Sequence, residues 1–382
     1  MTSPDTLRDL LVPRFLRYVG IDSTSYNKAG QRALAQLLKD ELIGLGLKDV
    51  TLTEDCFVIA RLAASAGFEA KPCIGFLSHL DTSPDAPGDK IQPVIKKNQQ
   101  GEEIISSDGT TLLGADDKAG IAEIMGALEY LIQHPQVAHG PLEIIFSPDE
   151  EIGGQLKGLD VPGLHAQAFY TMDGGAYPEI EAECFEAWSA GIVFTGRSIH
   201  PGTARGALLN AVSMAASFCN LLPRNESPEA TDGRYGFYCP TGIKGTHESA
   251  ELELIIRDFS KSEIERRLRA LESFARTVEA QFPGGKVCVN TEEQYRNMKE
   301  KIDAEPEVMD KLFAAGKKLG MPLKLVPIRG GTDGAALCQR GIPCPNIFTG
   351  GQNFHSKDEF LNVSEMIEAS RLIIELIKIW TE

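Results

Sequence analysis

Apolar runs that break off into histidine, aspartate or glutamate recur along this chain, and that junction constrains its fold more than any other feature. Ile74–Leu77 is the first example. It is short and apolar, as a strand buried in a parallel sheet must be, and His79 and Asp81 follow at once. In extended backbone, residues two apart face the same way. The imidazole and the carboxylate therefore share one face at the strand's carboxyl end, an arrangement that suits a metal ligand with a carboxylate behind it. Alone the pair is equally that of a surface histidine near a turn, since Pro84, Asp85, Pro87 and Gly88 come next.

The same junction recurs downstream. Leu142–Phe146 runs into Ser147-Pro148-Asp149-Glu150-Glu151, three adjacent acids that either form a solvated loop or are held by cations. Ala168–Met172 ends at Asp173-Gly174-Gly175, and Asn346–Phe348 leads through Thr349-Gly350-Gly351 to His355. Asp116 and Asp117 precede the apolar stripe Ile121, Ile124, Met125, Leu128, Leu131 and Ile132, which places them at a helix N-terminus. One acid there is an ordinary cap; two exceed what a cap needs. In an open α/β sheet the carboxyl ends of the strands meet in a single crevice, where such folds bind ligands. Two histidines and several carboxylates gathered there make an N/O donor set suited to zinc, with cobalt or manganese as substitutes. The set is too large for one tetrahedral ion and about right for two sharing a carboxylate, roughly 3.5–4 Å apart.

The rest of the chain reads as a soluble α/β protein. Leu7, Leu10, Leu11, Phe15 and Val19 fall at helical spacing, and charged residues interrupt residues 1–20, so this is an amphipathic helix and not a secretion signal. A second helix spans 31–45 and a strand Phe57–Leu62; residues 84–110 are a polar loop with short strands. No stretch approaches eighteen apolar residues, which excludes a membrane-spanning helix. The net charge of −16 opposes binding to nucleic acid or anionic membrane. Eight cysteines without a C-x-x-C pair, among them Cys73, Cys219 and Cys338 in apolar runs, indicate a reduced, cytoplasmic protein.

Between Asp173 and His355 the rhythm changes. Strand 187–196, helix 206–222, strands 235–246 and 250–258, helix 262–282 and strand 286–291 spell β-α-β-β-α-β, the ferredoxin-like unit. Ser262 and Glu265 have the spacing of a capping box at the second helix. The expected architecture is a doubly wound mixed sheet formed by 1–184 and 296–382, with an inserted α+β lid at 185–295. Helix 304–319, strand 323–328 and a last helix from near Asn362 complete the first domain.

The junction motifs then carry a resemblance. Gly75–Asp85, Thr111–Met125, Pro148–Glu151, Met172–Gly175, His200–Ala204, Ile256–Phe259, Pro327–Gly334 and Pro343–Gly351 with His355 are similar to the peptidase T family of tripeptide aminopeptidases, within the aminoacylase-like di-zinc metallopeptidases. The likeness runs end to end, although the loop between Pro93 and Thr111 is shorter than that family leads one to expect. The resemblance implies two Zn2+ per chain. His79 and Asp173 would bind one, Glu151 and His355 the other, and Asp116 would bridge them. Asp81 would orient His79, and Glu150 would be the general base. In the lid, His200 would stabilise the oxyanion and Arg257 would take the substrate's terminal carboxylate as the lid closes.

Each lid residue also has a plainer reading, His200 as a turn residue beside Pro201 and Gly202, Arg257 as a strand arginine paired with Asp258. Gly330–Gly334 lacks the Lys-Ser/Thr of a phosphate loop and is taken as a wall of the crevice. The implied substrate is a short peptide and the implied assembly a monomer or homodimer. A same-fold dipeptidase, carboxypeptidase or amino-acid deacylase is the main alternative. A non-catalytic metal-stabilised binding protein would have no use for an unliganded glutamate beside a ligand, and a two-metal phosphoesterase would want a basic cleft.

Overall fold

A computed structural model describes residues 4–382, so the start of the expected first helix lies outside the described residues. The chain divides into two compact units, one of Met1–Ala182, Met298–Val326 and Thr332–Glu382, the other of Glu183–Asn297 and Pro327–Gly331.

The first unit opens with α1 (Pro4–Val19) and α2 (Lys28–Gly44), followed by β1 (Asp49–Leu52), β2 (Val58–Leu62) and β3 (Ile74–His79). The stretch read as a polar loop supplies β4 (Val94–Lys97) and β5 (Glu103–Ser106). Then come α3 (Ala115–Gln133), β6 (Leu142–Ser147), β7 (Ala168–Gly174) and β8 (Glu179–Glu181). The second unit holds β9 (Glu186–Thr195), α4 (Ala211–Leu221), β10 (Phe237–Gly245), β11 (Ser249–Asp258), α5 (Lys261–Gln281) and β12 (Lys286–Tyr295). The chain then returns through α6 (Lys299–Ala304), α7 (Pro306–Leu319), β13 (Lys324–Val326), α8 (Asp333–Gln339), β14 (Asn346–Phe348), β15 (Gly351–Gln352), β16 (Phe360–Asn362) and α9 (Val363–Ile379).

Eight strands form the main sheet in the order β1-β2-β6-β3-β7-β14-β8-β13. Its centre is parallel: His79 of β3 lies opposite Ser147 of β6, and Leu77 lies opposite Thr171 of β7. Every residue of β3 and β6 is buried, as expected of strands covered on both faces. Helix α3 packs against α1, α9 and β7. It comes so close to β7 that a Cβ on Gly120 would stand 2.1 Å from the Met172 carbonyl oxygen, so only glycine fits there. A small antiparallel sheet, β15-β16-β5-β4, belongs to the same unit, and its β15–β16 hairpin carries His355.

The second unit is a four-stranded antiparallel sheet in the order β10-β11-β9-β12, with α4 and α5 packed on it. This is the ferredoxin-like order, and Ile192, Phe194, Phe218, Leu252, Leu254 and Leu271 lie in its own buried core. Three local expectations need correction. Helix 206–222 begins only at Ala211, because the Asn210 side chain caps it by accepting the Val212 and Ser213 N–H groups. The helix read as 262–282 starts at Lys261 after Ser260, so Ser262 lies inside it and forms no capping box with Glu265. Residues 304–319 are interrupted where Pro306 takes the first position of α7 after α6 has ended.

Candidate metal centre

The parallel register sets the carboxyl ends of β3, β6 and β7 side by side. His79 is the last residue of β3 and is 2% exposed. Its Nδ1 lies 2.9 Å from the Asp81 main-chain carbonyl. A carbonyl only accepts, so Nδ1 carries a proton and Nε2 is turned to the site. Nε2 is 2.8 Å from Asp116 Oδ1 and 3.7 Å from Asp173 Oδ1. The other oxygen of Asp116 faces the second histidine, with His355 Nε2 at 3.3 Å; the same nitrogen is 2.8 Å from Glu151 Oε2. One carboxylate thus offers one oxygen to each of two imidazoles.

Local backbone makes this possible. Gly114 precedes α3 at φ 78°, and Asp116 and Asp117 are non-helical although they stand in its first turn. Glu150 and Glu151 lie in a 3-10 turn after β6, reached through Asp149 at φ 64°. His355 is also left-handed, at φ 59°. Such non-glycine outliers cost energy and cluster at functional sites.

The sequence places Asp81 behind His79 as an orienting carboxylate. In the structure the nearer partner of Nδ1 is the Asp81 carbonyl, and the carboxylate stands back at 3.5 Å. That carboxylate, fully buried, accepts the Ser25 hydroxyl at 2.8 Å and the N–H groups of Glu150 at 3.0 Å and Glu151 at 3.3 Å. It anchors the glutamate turn.

Electrostatically the cluster is crowded with like charge. Burial and repulsion from Asp116 push Glu151 up to about 7. Burial and repulsion from Asp173 raise Glu150 well above the usual carboxylate range. Asp173 is raised by burial despite its hydrogen bond with His79. Asp116 is lowered, since His355 and His79 outweigh its burial. Hydrogen bonds to Asp116 and Glu151 bring His355 to about 11. Glu151 Oε1 is buried with no hydrogen-bond partner. Divalent cations would relieve this repulsion and satisfy that oxygen. Ligand atoms of His79, Asp116 and Glu151 already lie within 4.8 Å of one another, as do those of His79, Asp117 and Asp173. The donor set therefore fits divalent metal.

The two second-unit residues have partners of their own. His200 is exposed and caps a short turn, its Nδ1 accepting the Gly202 N–H at 3.1 Å. Arg257 is not paired with Asp258, whose carboxylate binds Arg267. The Arg257 guanidinium donates to the carbonyls of Trp188 and Ile256, and lies 5.5 Å from the centre of the Tyr295 ring.

Three further acids near the centre have partners that the sequence does not reveal, and one of them, Glu359, is not singled out by it at all. Asp117 turns under β3 and accepts the Ser78 hydroxyl and the His79 N–H. Asp333 of the glycine-rich turn is buried, with the Ser147 hydroxyl donating to it at 2.5 Å. Glu359 is buried and accepts three N–H groups from the turn that carries Asp116. Those partners are distant in sequence.

Comparison with known proteins agrees with this geometry. The profile of "Peptidase family M20/M25/M40" matches residues 75–379. A protein named Peptidase T from Geobacillus sp. (strain WCH70) is 40% identical over 409 aligned positions, covering 98% of this chain and 100% of its own. A tripeptidase of Staphylococcus aureus superposes with a TM-score of 0.83 at 24% identity, over 98% of each chain. A dinuclear metal-binding peptidase of Bacillus subtilis superposes with a TM-score of 0.73 at 17% identity, again over 98% of each. The first shows common descent and the others a common fold, and with the profile match they establish that this chain belongs to peptidase family M20/M25/M40, as a hydrolase similar throughout its length to the peptidase T enzymes.

Proposed function

We propose that the chain is a cytoplasmic di-zinc aminopeptidase that releases the N-terminal residue from tripeptides. The observation that carries this reading is the split of Asp116, with one oxygen toward His79 and the other toward His355. A carboxylate so placed could be shared by two ions. His79 and Asp173 would complete one ion's shell, Glu151 and His355 the other's. The imidazole and carboxylate donors suit zinc, with cobalt or manganese able to replace it. Bound as a pair, such ions supply a water acidified to near neutrality and stabilise negative charge on the scissile carbonyl oxygen.

The remaining chemistry falls to side chains. Glu150 accepts the water's proton and delivers it to the leaving amine. Asp81 holds the Glu150 and Glu151 amides, so the base and the adjacent ligand keep separate places. His200 is assigned to the developing oxyanion and Arg257 to the substrate's C-terminal carboxylate, where a guanidinium can bind bidentately. The surplus of acidic groups at the centre suits a free α-ammonium. The tripeptide preference rests on the names of the relatives.

A panel of peptides two to five residues long, free or N-acetylated, assayed with zinc, tests this reading. Free tripeptides should be cleaved fastest and acetylated ones hardly at all. A preference for acetylated substrates would make the protein a deacylase. Glu150→Gln should lower turnover about 10²–10⁴-fold with metal content nearly unchanged. Loss of metal instead would make Glu150 a ligand.

A further inference from the structure

We infer that Glu359 is a positioning residue for the metal bridge, clamping the Leu113–Asp116 backbone from across the fold. The inference rests on the reading of Asp116 as a bridging ligand. The first turn of any helix leaves N–H groups without partners, and a local Ser, Thr, Asp or Asn usually satisfies them. Here the residue before the helix is Gly114, which has no side chain with which to cap. Asp116 and Asp117 stand in the first turn, where an acid would ordinarily fold back onto the backbone. Neither does so: Asp116 faces the two imidazoles, and Asp117 binds Ser78 and the His79 N–H.

The acceptor for the turn that leads into the helix arrives from 243–246 residues away in sequence. Glu359 Oε2 accepts the N–H of Leu113 at 2.7 Å and of Gly114 at 2.8 Å, while Oε1 accepts the N–H of Asp116 itself at 3.1 Å. The Glu359 side chain is 1% exposed. A buried carboxylate at this place does two things at once. It satisfies N–H groups of the turn that leads into α3, and it fixes the peptide group from which the Asp116 side chain springs.

Its position in the chain adds a second coupling. Glu359 lies four residues after His355, at the foot of the same hairpin, directly before β16. This short segment thus presents one candidate ligand and clamps the backbone of another. Movement of the hairpin would shift His355 and release the Asp116 turn together. Glu359 touches neither a candidate metal position nor substrate, so its effect must pass through Asp116 and its neighbours. Supporting residues of this kind typically alter metal affinity about 10–100-fold when changed.

Glu359→Gln is the discriminating variant, because it keeps the size and one acceptor oxygen but turns an NH2 group toward an N–H. In full-length protein titrated with Zn2+ against a chromogenic chelator, it should loosen bound zinc about 10–100-fold. The visible absorption of the Co2+-loaded variant should shift, and kcat should fall with KM nearly constant. Asp116→Asn serves as the reference. If Asp116→Asn loosens both ions and Glu359→Gln loosens neither, the positioning role is overturned and the bridge stands. If Asp116→Asn leaves both ions at parental affinity, the bridge itself is wrong. Amide exchange on the unmodified, metal-free protein needs no variant at all. The N–H groups of Leu113, Gly114 and Asp116 should be protected there, and exchange at the rate of an open loop would overturn the inference.

Discussion

Asp81→Asn separates two ways in which an acid behind a histidine could act. Position 81 is fully buried, and its carboxylate accepts hydrogen bonds from Ser25 Oγ, Glu150 N and Glu151 N. Asparagine keeps one oxygen, which can stay on the Glu150 N–H, and places an NH2 group where the other oxygen met Ser25 and Glu151. Ser25 can recover, because its hydroxyl also lies 3.1 Å from the Thr82 carbonyl. The Glu151 N–H cannot. One charge-assisted bond is broken and another becomes neutral. At roughly 1.5–3 kcal/mol for a bond to a charged group, and with the broken one long at 3.3 Å, the loss should be about 2–3 kcal/mol. That corresponds to a fall in Tm of about 5–10 °C for a unit of this size.

Activity should suffer more than stability does. The freed turn carries the proposed base and a proposed ligand, and a misplacement of about 1 Å can cost about 10²-fold. The histidine should be spared, since its Nδ1 bonds to the main-chain carbonyl of residue 81, which the substitution leaves in place. Thermal unfolding, zinc titration and tripeptide kinetics on Asp81→Asn test this together. The ion assigned to Glu151 and His355 should weaken before the one assigned to His79 and Asp173. If the His79 ion is lost first, or if kcat/KM stays within about threefold of the parent, Asp81 does not act through the glutamate turn.

Other expectations can be checked separately. Metal analysis under saturating zinc should give two ions per chain, and Asp116→Ala should disturb both; at most one ion in the parent would refute the shared site. Arg257→Ala should weaken binding of free tripeptides far more than of their C-terminal amides, and equal losses on both would leave Arg257 with only its contacts to Trp188, Ile256 and Tyr295. Glu181 is pushed up to about 8 from the usual 4.5, first by burial, against the hydrogen bond from Asn346. The fold therefore holds a proton there that the unfolded chain releases, and stability should fall as pH rises between those values. Glu181→Gln should raise Tm more at about pH 8 than at about pH 5, and an equal gain at both would refute the assignment.

Much of this molecule was legible because strands and their ends leave local marks. Ile74–Leu77, Leu142–Phe146 and Ala168–Met172 are largely apolar, Glu143 and Thr171 excepted, and each becomes a strand of the main sheet. The first acids or histidines beyond them fall at the carboxyl ends, so topology alone gathers His79, Glu150, Glu151 and Asp173. The second unit was legible for the same reason, its alternation of strand and helix being local. What failed was also local. Helix α5 starts before Ser262, after Ser260, whose side chain makes no capping bond.

The anchoring acids left no such mark. A ligand is recognised by its own residue type at a predictable strand end, whereas an anchor is defined by what it binds, and here it binds backbone N–H groups that every residue possesses. Asp81 illustrates the difference. His-x-Asp spacing draws attention to the imidazole two residues away, whose Nδ1 lies 3.5 Å from the carboxylate, but not to the Glu150–Glu151 turn, 69 and 70 residues on, which the same carboxylate also holds. Its nearness in sequence to a candidate ligand is a consequence of both lying at the mouth of β3, where several turns converge and each needs acceptors. A crevice built from strand ends exposes unpaired N–H groups as well as ligands. Carboxylates beyond the candidate ligands therefore meet those N–H groups, and Asp81 and Glu359 supply that need from distant parts of the chain.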